Sequence, residues 1–372
     1  FARLVADAPP LASPACTHAD DVGFWLYSSG STGGPKGTVH SHANLYWTNA
    51  LYGCGVLRLR EDDVVFSAAK LFFAYGLGNA QYFPLHVGAS AVLFAGRPTP
   101  ESCFTQVKRH RPSLFFGVPT AYANMLAAID GGAAADFSSV RACVSAGESL
   151  PGAIFERWQA RTGLEILDGI GSTEICHIFL SNRSGACRPG SSGVPVPGYD
   201  LRLVDEAGRD VPEGELGDLL VCGDSTAALY WNKHEQTKRI LVGDWIRTGD
   251  KYLRDADGYY FHGGRSDDMI KAGGIWVSPV EVEGVLVGHA DVLECAVVGT
   301  ADADGLVKTH AFVTLRAAAD DEGRVRIEAE LRARAKAHLA PYKAPRWISF
   351  VKELPKTATG KIQRYLLRAG GR

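Results

Sequence analysis

The 372-residue chain is 46% apolar and 22% charged, with 39 Lys and Arg against 41 Asp and Glu and a formal net charge of −2. That balance gives no basic surface for nucleic acid and no charged tail, and nowhere does an apolar run approach the ~18 residues of a membrane span. Eight cysteines are scattered without a C-x-x-C pair, which argues against a zinc site or a disulfide framework and favours reduced thiols in a cytoplasmic enzyme.

Residues 1–21 form a short Ala/Pro-rich lead-in, and no initiator Met opens it. VGFWL (22–26) reads as a buried strand and opens into YSSGSTGGPKG (27–37), dense in hydroxyls and glycines with one lysine. Further strands are expected over 63–69, 89–94, 113–119, 140–147 and 164–169, with helices over 120–130 and 151–161. Apolar strands alternating with helices predict an α/β architecture on a largely parallel sheet. After about 190 the texture changes to short strands and turns, with DADG (255–258) as a hairpin signal. Near 265 a third unit begins. Ser278 is its first expected N-cap, with Pro279 at the first helical position and Glu281 closing a capping box. Two strands, a charged helix over roughly 324–339 and a last strand WISFVKEL then lead into PKTATGKIQR. The expected organisation is a partial N-terminal α/β core (1–190), a β-rich subdomain (191–265) and a small mobile α+β C-terminal lid (266–372).

Four stretches carry chemistry. The loop at 28–37 fails as a Walker A motif, because Pro35 and Gly37 stand where Gly and Ser/Thr are required. It can still present backbone N–H groups and hydroxyls to a polyphosphate, where a plain turn is the simpler reading. LDGIGSTE (167–174) lacks the third glycine of a dinucleotide fingerprint, but a Thr-Glu pair at a strand end suits phosphate and Mg²⁺, where a solvated loop is the simpler reading. WIRTGD (245–250) followed by GGRSDD (263–268) offers a carboxylate for a ribose diol with an arginine beside it; a surface salt bridge is the alternative. PKTATGKIQR (355–364) is either surface charge or a lysine delivered by domain movement.

The order of seven motifs (28–37, SAGE at 145–148, GIGSTE, GELGD at 214–218, WIRTGD, GRSDDMIK at 264–271 and TATGK at 357–361) resembles the adenylate-forming superfamily of acyl-CoA synthetases, luciferases and peptide-synthetase adenylation domains. LFFAYGLGN (71–79) and DGIGSTEICHIFLSN (168–182) narrow the resemblance to benzoate–CoA ligases and related aryl–CoA ligases. The resemblance implies an AMP-forming ligase using ATP, Mg²⁺ and CoA on an aromatic carboxylate, and it admits a homodimer. By that resemblance Lys361, Thr173 and Glu174 are catalytic, with Glu174 holding the metal. Ser28, Ser29, Gly30, Ser31, Thr32, Gly33, Gly34 and Lys36 wrap phosphate. Gly147, Asp168, Asp250 and Arg265 complete the nucleotide site, and Gly273 and Gly274 pass the CoA arm. Ala74, Tyr75, Gly171, His177 and Ile178 line the ring pocket, and Asp267 is the hinge. Members of the family begin well before the phosphate loop, so exposed apolar surface is expected here. Two rival expectations are an aryl-acid adenylating enzyme that loads a carrier protein and an inactive relative.

Overall fold

The computed structural model describes residues 2–28, 35–272, 275–303, 305–356 and 362–370. Its largest sheet has seven strands in the order Ser90–Val92, Val64–Ser67, Leu114–Gly117, Ala142–Ser145, Ile166–Gly171, Ile178–Ser181, Val194–Pro195. The first five are parallel and the last two antiparallel. Central strands buried on both faces need apolar residues at every position, and Leu114–Gly117 meets that demand. Successive side chains there point to opposite faces. Leu114 and Phe116 enter one core with Tyr52, Ile175 and Phe179. Phe115 enters another with Tyr122, Phe137 and Trp158. Trp158, fully buried, meets Tyr122 and Phe137 edge to face with ring centroids 4.9 and 5.1 Å apart. Each such aromatic contributes roughly 2–3 kcal/mol by burial.

The strand Val22–Ser28 is not part of this sheet, which corrects the expectation of a buried strand. It pairs antiparallel with Lys36–Ser41 at the edge of a three-stranded sheet, and Leu26 is its one buried residue. Trp25 and Tyr27 are 43% and 65% exposed. An apolar run alone does not distinguish a central strand from an edge strand.

A second, antiparallel sheet is built from Tyr199–Val204, Gly217–Gly223, Leu241–Val242, Trp245–Arg254 and Tyr260–Arg265. The hairpin at 255–258 closes with Asp255 N–H donating to Tyr259 O at 2.9 Å and Gly258 at φ +83°, where glycine is the cheapest residue. Beyond it, Val292–Ala301 and Val307–Leu315 pair antiparallel, and Trp347–Phe350 joins parallel. Helices Pro279–Val287 and Asp321–His338 pack on this sheet through Val282, Leu286, Ile327 and Leu331. The Ser278 hydroxyl accepts from Glu281 N–H at 3.1 Å. The Glu281 carboxylate, however, binds Lys343 Nζ at 2.7 and 2.8 Å instead of turning back to the cap. The expected capping box is therefore half formed, because a distant ammonium outcompetes the local N–H. The charged helix starts earlier than expected, with Asp320 accepting from Gly323 N–H as its cap. Among the described residues no helix is long and apolar enough to cross a membrane.

Candidate active site

Between the two larger sheets and the C-terminal unit lies a cleft of about 1640 Å³. That exceeds the 300–1,000 Å³ typical of a pocket for one drug-sized ligand, so it has room for a nucleotide and a second group. Ser28, Lys36, Thr173, Glu174, Asp250 and Arg265 all line it, as do Gly171 and Asp267. Residues drawn from four separate stretches of sequence thus share one wall system.

Ser28 and Lys36 are cross-strand partners, so the Gly/Ser loop leaves and returns at the same point of the sheet. Ser29, Gly30, Ser31, Thr32, Gly33 and Gly34 lie outside the described residues. Lys36 Nζ sits 4.8 Å from the centre of the Tyr230 ring, and Tyr230 donates its hydroxyl to Glu174 Oε1 at 2.5 Å. Burial first, and then the Glu174 charge, raise the Tyr230 hydroxyl far above its ordinary range, so it stays a donor. The turn carrying Thr173 and Glu174 is held from behind by His40. Asn44 Nδ2 donates to His40 Nδ1 at 2.7 Å, which leaves the proton on Nε2 to bond Thr173 O at 2.8 Å. Burial lowers the His40 pKa to about 4, with the Thr173 carbonyl and Glu174 opposing, so the ring is neutral near pH 7. Tyr230 and His40 were not singled out by sequence; neither belongs to a recognisable spacing, and both act across the fold.

Asp250 and Arg265, which also line the cleft, are cross-strand partners. Arg265 Nη1 donates to Asp250 Oδ1 at 3.3 Å and to Thr248 O at 3.0 Å. Burial disfavours the guanidinium charge, but Asp250, Asp267 and Glu174 more than offset it and raise its pKa. His262 Nε2 stands 3.5 Å from Asp250 Oδ1 and is a further polar group on this wall. Gly249 is at φ +75°, and a Cβ there would fall 2.8 Å from Arg265 Nη2. The glycine therefore lets the arginine lie across the strand.

The residues expected to line a ring pocket come together around His177. His177 Nε2 donates to Tyr75 O at 3.2 Å and Asn79 Oδ1 at 3.1 Å, and its ring packs on Phe83 and Tyr75 at 4.6 and 5.6 Å. Burial pushes its pKa down to about 3, so it too is neutral. Ile178 is buried, and Ala74 and Tyr75 are half-buried. None of these four lines the large cleft, whereas Gly171 does. A Cβ on Gly171 would meet His177 O at 2.5 Å, so glycine there allows the strand to lie against its neighbour and leaves the cleft wall thin.

Gly147, at φ +95°, borders a small recess beside the cleft, with Ile170, Tyr252 and His262. Asp168 lies beneath the surface at 3% exposure, with Leu150 N–H donating to Oδ2 at 3.5 Å. Burial pushes its pKa up to about 8, against the opposing polar groups of Ser145 and the backbone of Leu150 and Gly169. The unfolded carboxyl ionises near 4. From there to about 8 the folded state holds the extra proton, so this group's contribution to stability falls as pH rises through that window. Asp168→Asn is expected to remove that loss. Unfolding free energies from urea titration should fall more between pH 5 and pH 8.5 for wild type than for the variant, by a few kcal/mol in order of magnitude. Parallel pH profiles would contradict it.

Lys361, Gly273 and Gly274 lie outside the described residues. Their flanks face the cleft: Trp276 on one side, and Gln363 and Arg364 on the other. Away from it, His289, Asp291 and Glu330 cluster within 4.8 Å, but Arg326 already pairs with Asp291 at 3.4 Å and Glu330 at 2.9 Å.

Residues 3–231 match the model of the AMP-binding enzyme family, and residues 281–361 match that of the AMP-binding enzyme C-terminal domain. The chain belongs to the AMP-binding enzyme family. Its fold is that of adenylate-forming enzymes, a large N-terminal domain followed by the AMP-binding C-terminal domain. It is 55% identical over 370 residues to a benzoate–CoA ligase of Thauera aromatica, covering 99% of this chain and 70% of that protein. Solved structures similar to the chain include the following two. A benzoate CoA ligase from Burkholderia xenovorans LB400 superposes with a TM-score of 0.90 at 55% identity, over 99% of this chain and 72% of the other. The anthranilate CoA ligase AuaEII, in complex with anthranoyl-AMP, gives 0.95 at 47% identity, over 100% and 71%.

Proposed function

We propose that this member of the family is an AMP-forming aryl–CoA ligase. It joins benzoate or a close analogue to the α-phosphate of ATP, releases pyrophosphate, and then passes the aroyl group to the thiol of CoA with release of AMP. The observation that carries the reading is the single cleft that Lys36, Thr173, Glu174, Asp250 and Arg265 all line. A phosphate end and a ribose end are what one nucleotide requires, and the 55% identity to a benzoate–CoA ligase supports the acid and the thiol.

Benzoate is already ionised near pH 7, so the first step needs no base. Its obstacle is repulsion between the carboxylate and a polyphosphate. Two unit charges at 4 Å repel by about 1 kcal/mol in water and severalfold more in a partly buried cleft. Cationic groups preorganised where charge gathers are therefore the main source of rate. Lys36 and the glycine loop take the departing phosphates, and Thr173 donates to the α-phosphate. Lys361 bridges the attacking carboxylate and that phosphate. Asp250 accepts both ribose hydroxyls, with Arg265 fixing its orientation. Mg²⁺ prefers oxygen ligands, and the Glu174 carboxylate beside the Ser172 and Thr173 hydroxyls is such a set. When bound, the ion would offset phosphate charge. Ala74, Tyr75, His177 and Ile178 form the back of the ring pocket behind Gly171.

For the second step the thiol sulfur attacks the acyl carbonyl and AMP leaves with the bonding pair. Movement of the C-terminal unit about Asp267 exchanges the Lys361 segment for the stretch around Gly273 and Gly274, where the absence of side chains suits a narrow pantetheine arm. All eight cysteines are free thiols, which favours a reducing compartment such as the cytoplasm.

The protein incubated with benzoate, ATP and Mg²⁺ is expected to yield benzoyl-CoA and equimolar AMP once free CoA is added, read by mass spectrometry. Benzoyl-AMP that accumulates and is discharged only onto a phosphopantetheinylated carrier protein would replace CoA by a carrier as the acceptor.

A further inference from the structure

The segment 357–361 carries Lys361, and both of its flanks are pinned. Lys356 and Ile362 pair as an antiparallel bridge, and Gln363 N–H donates to Pro355 O at 2.8 Å. Lys356 Nζ pairs with Glu294 at 2.6 Å. On the far side, Arg364 grips Glu283 with its fork: Nη2 lies 2.9 Å from both carboxylate oxygens and Nε 3.2 Å from Oε1. The same Oε1 accepts from Val297 N–H at 2.7 Å, so helix, sheet and tail meet at one carboxylate. Arg364 Nη1 is 3.9 Å from Asp268 Oδ2, and Arg368 donates to Asp268 as well. Side-chain exposure is 18% for Arg364 and 12% for Glu283.

A buried ion pair is a poor way to add stability, since an apolar pair of similar size does as well or better. The tail already has such packing, with Leu354 and Leu367 set against Ala296 and Val298. What a bidentate guanidinium adds is direction and a fixed distance. Lys361 is three residues from Arg364, and a chain spans at most about 3.6 Å per residue. An anchor at Arg364 therefore acts within about 11 Å of chain length from the lysine. Asp268 follows Asp267 directly, so the anchor travels with the hinge.

We propose that the Glu283–Arg364 clasp, backed by Asp268, is a positioning device that sets the Lys361 segment for adenylation and takes no part in thioester formation. This rests on the reading of Lys361 as the lysine of the first half-reaction. Arg364→Ala and Glu283→Ala are expected to lower benzoate-dependent ATP–pyrophosphate exchange by about 10²-fold, the scale of a misplaced catalytic group. Conversion of supplied benzoyl-AMP and CoA to benzoyl-CoA should stay within about twofold. The double variant should be no slower than the worse single one, because the pair acts as a unit. Should an alanine variant fail to fold, Arg364→Lys keeps the charge without the fork and is expected to lose about tenfold in exchange alone. Equal loss in both half-reactions would make the pair a plain folding contact and overturn the proposal. With Lys361→Ala assayed alongside, an inactive lysine variant together with a fully active Arg364→Ala would overturn the clasp alone. Full exchange in Lys361→Ala would instead overturn the lysine reading, and the clasp's role with it.

Discussion

Lys361→Ala is expected to lower benzoate-dependent ATP–pyrophosphate exchange by 10²–10³-fold in order of magnitude, while benzoyl-AMP supplied with CoA is still converted to thioester at close to the wild-type rate. The size follows from what the lysine is asked to do. On the proposed reading it meets charge that exists only as the carboxylate closes on the phosphate, and removing one preorganised donor of that kind costs about 3–4 kcal/mol. The asymmetry follows from geometry. The flanks of the Lys361 segment are tied to the C-terminal unit through Lys356–Glu294 and Arg364–Glu283, so on the proposed reading the lysine departs with that unit before the thiol enters. A matching loss in both half-reactions would show that the lysine serves the fold or the nucleotide and not the adenylating step.

The largest effect on stability is expected at Asp63, well away from the cleft. Asp63 is 2% exposed and accepts from Arg60 N–H at 2.9 Å, Ser113 Oγ at 2.7 Å, and Arg141 Nε and Nη2 at 3.0 and 2.7 Å. Arg141 also donates to Leu57 O and Arg58 O, so one ion pair ties residues 57–63 to the start of two central strands. Burial alone would raise the Asp63 pKa, but Arg141, Ser113 and the Arg60 N–H outweigh it and hold it below the ordinary carboxylate range. A carboxyl depressed on folding lends stability above its unfolded pKa, near 4, and loses it as the pH falls through the folded value. Asp63→Ala leaves a guanidinium and a hydroxyl without their acceptor, and breaking a buried pair from one side costs about 3–5 kcal/mol. Chemical denaturation at pH 7 should show that loss, and the gap between wild type and variant should narrow below pH 4. An unchanged midpoint would mean that water replaces the carboxylate at no cost.

What the sequence made legible was order and chemistry along the chain. GIGSTE, WIRTGD and GRSDDMIK could be read as a phosphate end and a ribose end because each motif is local, and the structure places Glu174, Asp250 and Arg265 on one cleft. What it hid was pairing across the fold. VGFWL carries the apolar signature of a buried strand, yet whether such a run becomes a central or an edge strand depends on partners that lie far along the chain. Glu281 had the spacing of a capping box, but Lys343, 62 residues away, claimed its carboxylate. His40 behind Thr173, Tyr230 against Glu174 and Glu283 on Arg364 stand 133, 56 and 81 residues from their partners. No periodicity reports contacts of that kind. The ring-pocket residues show both sides. Tyr75 and His177 do meet, 102 residues apart, but behind Gly171 and not on the open wall, a depth that no linear motif encodes.

The most direct measurement is exchange of labelled pyrophosphate into ATP by the purified protein, with and without benzoate. The account predicts exchange that depends on benzoate and falls by about 10²–10³-fold in Lys361→Ala. A folded protein that gives no exchange with benzoate or with any of a panel of substituted benzoates would contradict aryl adenylation, and with it the reading of the cleft as a catalytic site.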